Sequence, residues 1–268
     1  MADAGVDLAS IDLASLNVAS LAPLAFAFAL VVARVGSAMM LLPVLGEAEV
    51  PATVRAGFTL ALVLLLLPVL LPLLPVAPSQ PWVAAGYVVA EVVTGLWLGW
   101  LTRLVMLALT LAGEFAALAT GLANVLQPDP ALGVQTAALG RLFGVAAPVL
   151  ILASGLHALP LAALVGSYRV IPAASLLPAA DTAASVVSAV GACFALALRL
   201  AAPFLAASLI WHVALGLLSR LVPQLQISAM AAPIELLGGL LLLTLLAGLV
   251  LAAWQDQAAM LFAHLPGH

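Results

Sequence analysis

The stretch Trp82–Leu126, WVAAGYVVAEVVTGLWLGWLTRLVMLALTLAGEFAALATGLANVL, runs without a proline and with little polarity. As a single helix it would be roughly 65 Å long at about 1.5 Å per residue. The hydrocarbon core of a bilayer takes only about 20 helical residues. The run is therefore expected to bend, turn back, or leave the bilayer while still covered by protein, where irregular backbone is tolerated. Within it Glu91, Gly95, Gly99 and Arg103 recur every fourth residue and so share one helical stripe. Glu91 and Arg103 lie too far apart to pair, so each needs a partner on another helix or chain. Gly95 and Gly99 suit a close helix crossing, because small residues let two backbones approach.

Composition sets the solvent. Of 268 residues 66% are hydrophobic and 7% charged, with mean hydropathy +1.31. A soluble domain carries roughly 25% charged residues, and no protein core absorbs this much apolar surface. The chain reads as an all-α integral membrane protein. Its basic residues are all arginine, and the net charge is −4, which leaves no electrostatic footprint for nucleic acid. A lone cysteine, Cys193, sits among small apolar residues and reads as packing. The N-terminal residues 1–18 carry Asp3, Asp7 and Asp12 and no cation, unlike the positive start of a secretory signal, so they read as a retained acidic tail.

Outward from the central run the chain divides into about six hydrophobic segments, two of them overlong and expected to fold back as hairpins. The first, near Ala19 to Leu42, contains Arg34 and the small run Gly36-Ser37-Ala38. A proline-bounded turn, Pro43 to Pro51, leads to a second near Ala52 to Leu71, with Arg55 at its start. Four prolines between Pro72 and Pro81 predict an extended connection. Arg141 opens the next segment, which reaches His157, a histidine expected to serve as a helix-end hydrogen-bonding group. Asp181-Thr182 predicts a helix cap. The second overlong run, Ala183 to Leu221, carries Arg199 and Pro203, and Pro203 is expected to kink it. The last span, near Ile227 to Trp254, contains Glu235, and residues 255–268 read as a short C-terminal tail. With an exterior N-terminus, Arg55, Arg141 and Arg220 fall at cytoplasmic ends, and Arg169 is the exception. No soluble domain interrupts the chain, which reads as one membrane domain over 1–268.

Isolated charges remain at membrane depth: Arg34, Glu91, Arg103, Glu114, Arg141, Arg199, Arg220 and Glu235. Each costs at least about 2.5–3.5 kcal/mol at mid-bilayer, so they mark functional positions or buried contacts. The most unusual polar stretch is Gly113 to Pro130, with Glu114, Asn124 and a rigid Pro128-Asp129-Pro130 end. Enzymatic motifs are missing. The sequence holds no P-loop, no zinc-binding His-Glu-x-x-His, no Cys-x-x-Cys and no nucleophile elbow. No catalytic, metal or cofactor residue is assigned.

The order and spacing of the motifs resemble the FliR family of flagellar biosynthesis proteins and its type III secretion counterpart, SctT. The resemblance runs over about Arg34 to Val250. It rests on Arg34 before Pro43, Pro51-Ala52-Thr53-Val54-Arg55 with Gly57, Gly95 and Gly99, and Gly113-Glu114 with Gly121. Asp129-Pro130, Arg141, Gly155-x-His157, Ala202-Pro203 and Leu215 to Gln224 complete it. The resemblance implies a subunit of a helical, multi-subunit export gate in the bacterial inner membrane, at a flagellar basal body or injectisome base. Its partners would be FliP-like, FliQ-like and FlhB-like proteins, and unfolded exported proteins would pass through. It further implies a plug loop at Glu114 through Pro130. In that segment, which includes Asn124, Phe115 and Leu118 would supply an apolar seal, Gly121 would permit a bend, and the Pro128-Asp129-Pro130 end would stop helix propagation. Arg34, Arg55, Glu91, Gly95, Gly99, Arg103, Arg141 and Arg220 would serve packing and assembly. Midplane charges and broken helices also fit a small-solute secondary transporter, the alternative reading, although no internal repeat is found.

Overall fold

Apolar stripes at helical spacing dictate what forms. The computed structural model describes residues 18–125, 138–221 and 227–267, and all regular structure among them is helical. The helices are α1 (Val18–Met39), α2 (Ala52–Leu70), α3 (Pro81–Ala119), α4 (Leu122–Val125), α5 (Ala138–Ala153), α6 (Ala158–Val170), α7 (Ala179–Leu221) and α8 (Ile227–Ala263). Five of them, α1, α2, α3, α7 and α8, are long and apolar enough to cross a membrane, and α5 with α6 makes a sixth if counted as one broken span.

The overlong runs are not hairpins. α3 is an unbroken helix of 39 residues and α7 one of 43. Nothing in α3 interrupts its hydrogen-bond ladder, since its only proline is Pro81 at the first position, where a missing N–H costs nothing. Pro203 lies inside α7 without ending it. The break falls instead at Ser154–His157, where Gly155 takes φ +75°, a left-handed conformation that glycine adopts without a Cβ clash. α7 starts at Ala179, ahead of the expected cap. Asp181 lies in its first turn, and Thr182 Oγ1 donates back to the Pro178 carbonyl at 2.8 Å. α8 runs on to Ala263, so most of the C-terminal tail is its last turns.

The chain forms two compact units, each with its own core. The first comprises α1, α2, α3 up to Thr102, α6 and the start of α7. Val31, Val35, Ala38, Met39 and Leu42 of α1 pack with Val63 and Leu70 of α2, Leu98 of α3, and Leu164 and Tyr168 of α6. Their positions in α1 follow the 3.6-residue period that buries one helical stripe. The second unit comprises α3 from Arg103, α4, α5 and most of α7 and α8. Its buried positions recur every fourth residue: Leu139, Phe143, Ala147 and Ile151 on α5, and Val250, Trp254, Ala258 and Phe262 on α8. The Trp254 indole Nε1–H donates to the Val105 carbonyl at 2.9 Å, which fixes α8 against α3 within this unit.

Candidate functional site

In the first unit the sequence places an arginine on α1 and a glutamate on α3, and both side chains are fully buried. Arg34 Nε donates to Glu91 Oε2 at 2.7 Å and Nη2 donates to Oε1 at 2.9 Å, a bidentate fork. The remaining guanidinium nitrogen, Nη1, donates to Ser167 Oγ at 3.3 Å and to the Ile171 carbonyl at 3.0 Å. Glu91 Oε1 also accepts the backbone N–H of Ala174 at 2.7 Å, and Ala174 holds φ +62°. The guanidinium lies 4.1 Å from the Tyr168 ring centroid, a cation–π contact. One ion pair thus ties α1, α3, α6 and the turn after α6 together. Glu91 finds its partner on another helix of its own chain.

The glycine stripe of α3 lies against α1. A Cβ on Gly95 would strike the Arg34 carbonyl and Ser37, and one on Gly99 would sit 2.7 Å from the Ala38 carbonyl. Arg103, on the same stripe, is half-buried. Arg55, at the head of α2, gathers the turn before it: Nε donates to the Leu45 carbonyl at 2.7 Å and Nη2 to the Glu47 carbonyl at 2.8 Å.

In the second unit, α3 carries Gly113 directly onto the backbone of Leu139 and Gly140 of α5, and the Glu114 carboxylate covers Gly140. Glu114 to Ala119 are therefore the end of a helix, and the chain breaks one step later, at Thr120–Gly121, with Gly121 at φ +70°. Ala116 and Ala117 are buried, Phe115 is half-buried, and Leu118 is 68% exposed. Asn124 lies in the short α4. Asp129 and Pro130 lie outside the described residues. The break is held by α8: a Cβ on Gly239 would meet Thr120 Cβ at 2.6 Å, and one on Gly121 would meet Glu235 Oε1 at 3.4 Å. Beside it lies a mainly apolar cleft of about 250 Å³, lined by Thr120, Phe204, Ser208, Trp211, Glu235 and Gly239.

Sequence reasoning missed part of this. His212 on α7, given no role, lies with Nε2 3.9 Å from Glu235 Oε1, while its Nδ1 is 2.8 Å from the Ser208 carbonyl. Ser167, Tyr168 and Ala174 gave no signal, because nothing in a serine, a tyrosine or an alanine announces an arginine far upstream. His157 is an exposed residue at the head of α6 and makes no side-chain capping hydrogen bond. Arg141, Arg199 and Arg220 are exposed on apolar helices and make no ion pair among the described residues. No cluster of three metal-ligating residues occurs among the described residues.

Long apolar helices with ions buried between them define a multi-pass membrane protein. Residues 25–261 match the family described as bacterial export proteins, family 1. The chain is 34% identical over 232 residues to the flagellar biosynthetic protein FliR of Caulobacter vibrioides, covering 87% of this chain and 92% of that one. It is 28% identical to FliR of Escherichia coli K12 over 78% of this chain and 79% of that one. To FliR of Bacillus subtilis it is 26% identical, over 78% and 82%. The chain belongs to the FliR family of bacterial export proteins, which serve protein transport and the building of flagella.

Proposed function

We propose that this chain is a non-enzymatic subunit of a flagellar protein export gate in the bacterial inner membrane, at the base of the flagellum. It assembles there with FliP-like and FliQ-like subunits and contacts an FlhB-like protein, and unfolded substrates pass through the shared conduit. The observation that carries this reading is the likeness to flagellar FliR proteins over most of the chain. The likeness extends to all three relatives compared and favours the flagellar system over an injectisome. Family membership also sets aside the small-solute transporter.

Gating resides in the segment that begins at Glu114 and continues to Pro130. Its helical start packs small alanines inward and leaves Leu118 facing outward, available to a lumen. The Gly121 break supplies the place where the segment departs from α3. Closed and open arrangements are then two states whose balance a substrate or partner shifts. Deleting residues 116–124 is expected to make the assembled gate leak ions while FliP-like and FliQ-like subunits still co-purify. Wild-type conductance from a fully assembled deletion complex would overturn the plug. A strain lacking the chain is expected to lose motility and flagellar secretion together.

A further inference from the structure

The plug reading names the segment that moves but not what holds it. Within the second unit, two contacts from α8 converge on the Thr120–Gly121 break, and a third, from α7, reaches one of them. Gly239 of α8 approaches Thr120 so closely that any Cβ there would displace it. One turn earlier on α8, the Glu235 carboxylate lies against Gly121. From α7, His212 faces the same carboxylate at 3.9 Å and is itself anchored to the Ser208 carbonyl. A left-handed glycine is the softest point of a long helix, since its torsions are the least restricted. A carboxylate in a mainly apolar cleft costs free energy, yet Glu235 is held against Gly121 with His212 facing it.

We infer that Glu235 and Gly239 form a clasp that positions the root of the plug, with His212 orienting the Glu235 side chain. The inference rests on the plug reading and names the residues that set its closed state. Glu235 acts by covering Gly121, so its size matters more than its charge. Gly239 acts by allowing α8 to come close enough for that cover. Opening the gate then requires α8 to separate from the Thr120–Gly121 break.

The test uses the complete gate assembled with each variant, reconstituted in lipid vesicles, with ion conductance as the readout and co-purifying subunits as the assembly control. Glu235→Ala is expected to raise conductance about tenfold, the effect of a modest shift between two states. Glu235→Gln keeps the cover and is expected to restore conductance to near the wild-type level. Gly239→Ala, which pushes on Thr120 without altering Glu235, is expected to leak as Glu235→Ala does. If the 116–124 deletion leaks but Glu235→Ala and Gly239→Ala do not, the clasp is wrong and the plug stands. If Glu235→Gln leaks as much as Glu235→Ala, the covering role is wrong. If the deletion itself does not leak, plug and clasp fall together.

Discussion

Arg34 and Glu91 show what a charge requires at this depth. Each is fully buried and each hydrogen-bond site on the shared face is occupied. Removing one partner strands the other, at a cost of about 3–5 kcal/mol. Arg34→Ala is therefore expected to lower the thermal midpoint of the detergent-solubilised protein sharply, whereas Arg34→Met with Glu91→Leu recovers most of the loss. A double variant no better than the single one would count against the pair as the cause. Ala174 carries the opposite lesson. Its left-handed backbone costs about 1–2 kcal/mol for an L-residue, held in place by the Glu91 hydrogen bond. Ala174→Gly is expected to stabilise the protein by roughly 0.5–1 kcal/mol in the same melting measurement. The sequence indicated that Glu91 needs a partner on another helix or another chain. It could not name Arg34, because the match depends on how α1 lies across the Gly95–Gly99 face.

At the level of whole helices, length decides more than composition. α3 stays a single helix where a bilayer-length rule led to a hairpin, and α7 does so with Pro203 inside it, because that rule assumes lipid on all sides of each segment. α8 illustrates the same point at its far end. Gln255 to His268 looked like a tail, yet Ala258 and Phe262 continue the buried stripe that starts at Val250. Truncation after Trp254 is expected to abolish stable accumulation in the membrane, read by quantitative immunoblot. Wild-type abundance of the truncated chain would show that those last turns contribute nothing. The break near Gly155 was visible only as a glycine two residues before a histidine, and an isolated glycine is compatible with a helix interior as well as a turn.

On the proposed reading of the molecule as a unit of an assembly, six of the charges fall into two groups. Arg34, Glu91 and Arg55 are satisfied by their own chain. Arg141, Arg199 and Arg220 point outward from apolar helices. The broad exposed apolar faces, such as Leu237, Leu241, Leu245 and Leu249 along α8, accompany them. A guanidinium left on such a face is costly unless a neighbour covers it. Arg141→Ala is accordingly expected to cut recovery of FliP-like and FliQ-like subunits after detergent extraction several-fold. The amount of chain inserted in the membrane should not change. Equal recovery from variant and wild type would remove Arg141 from the interface. Membrane residence and family were legible in composition and motif order. The division between self-satisfied and outward-facing arginines was not, since it depends on where each helix face points.

The bond between Arg34 and Glu91 spans 57 residues of chain, and this separation bears on biosynthesis. Ribosomes add about 5–20 residues per second, so the cation emerges several seconds before the anion that neutralises it. During that interval the first helix carries an uncompensated cation, at a cost of at least about 2.5–3.5 kcal/mol at mid-bilayer. Synthesis of the third helix removes that cost, so the bond rewards late docking of α3 onto α1.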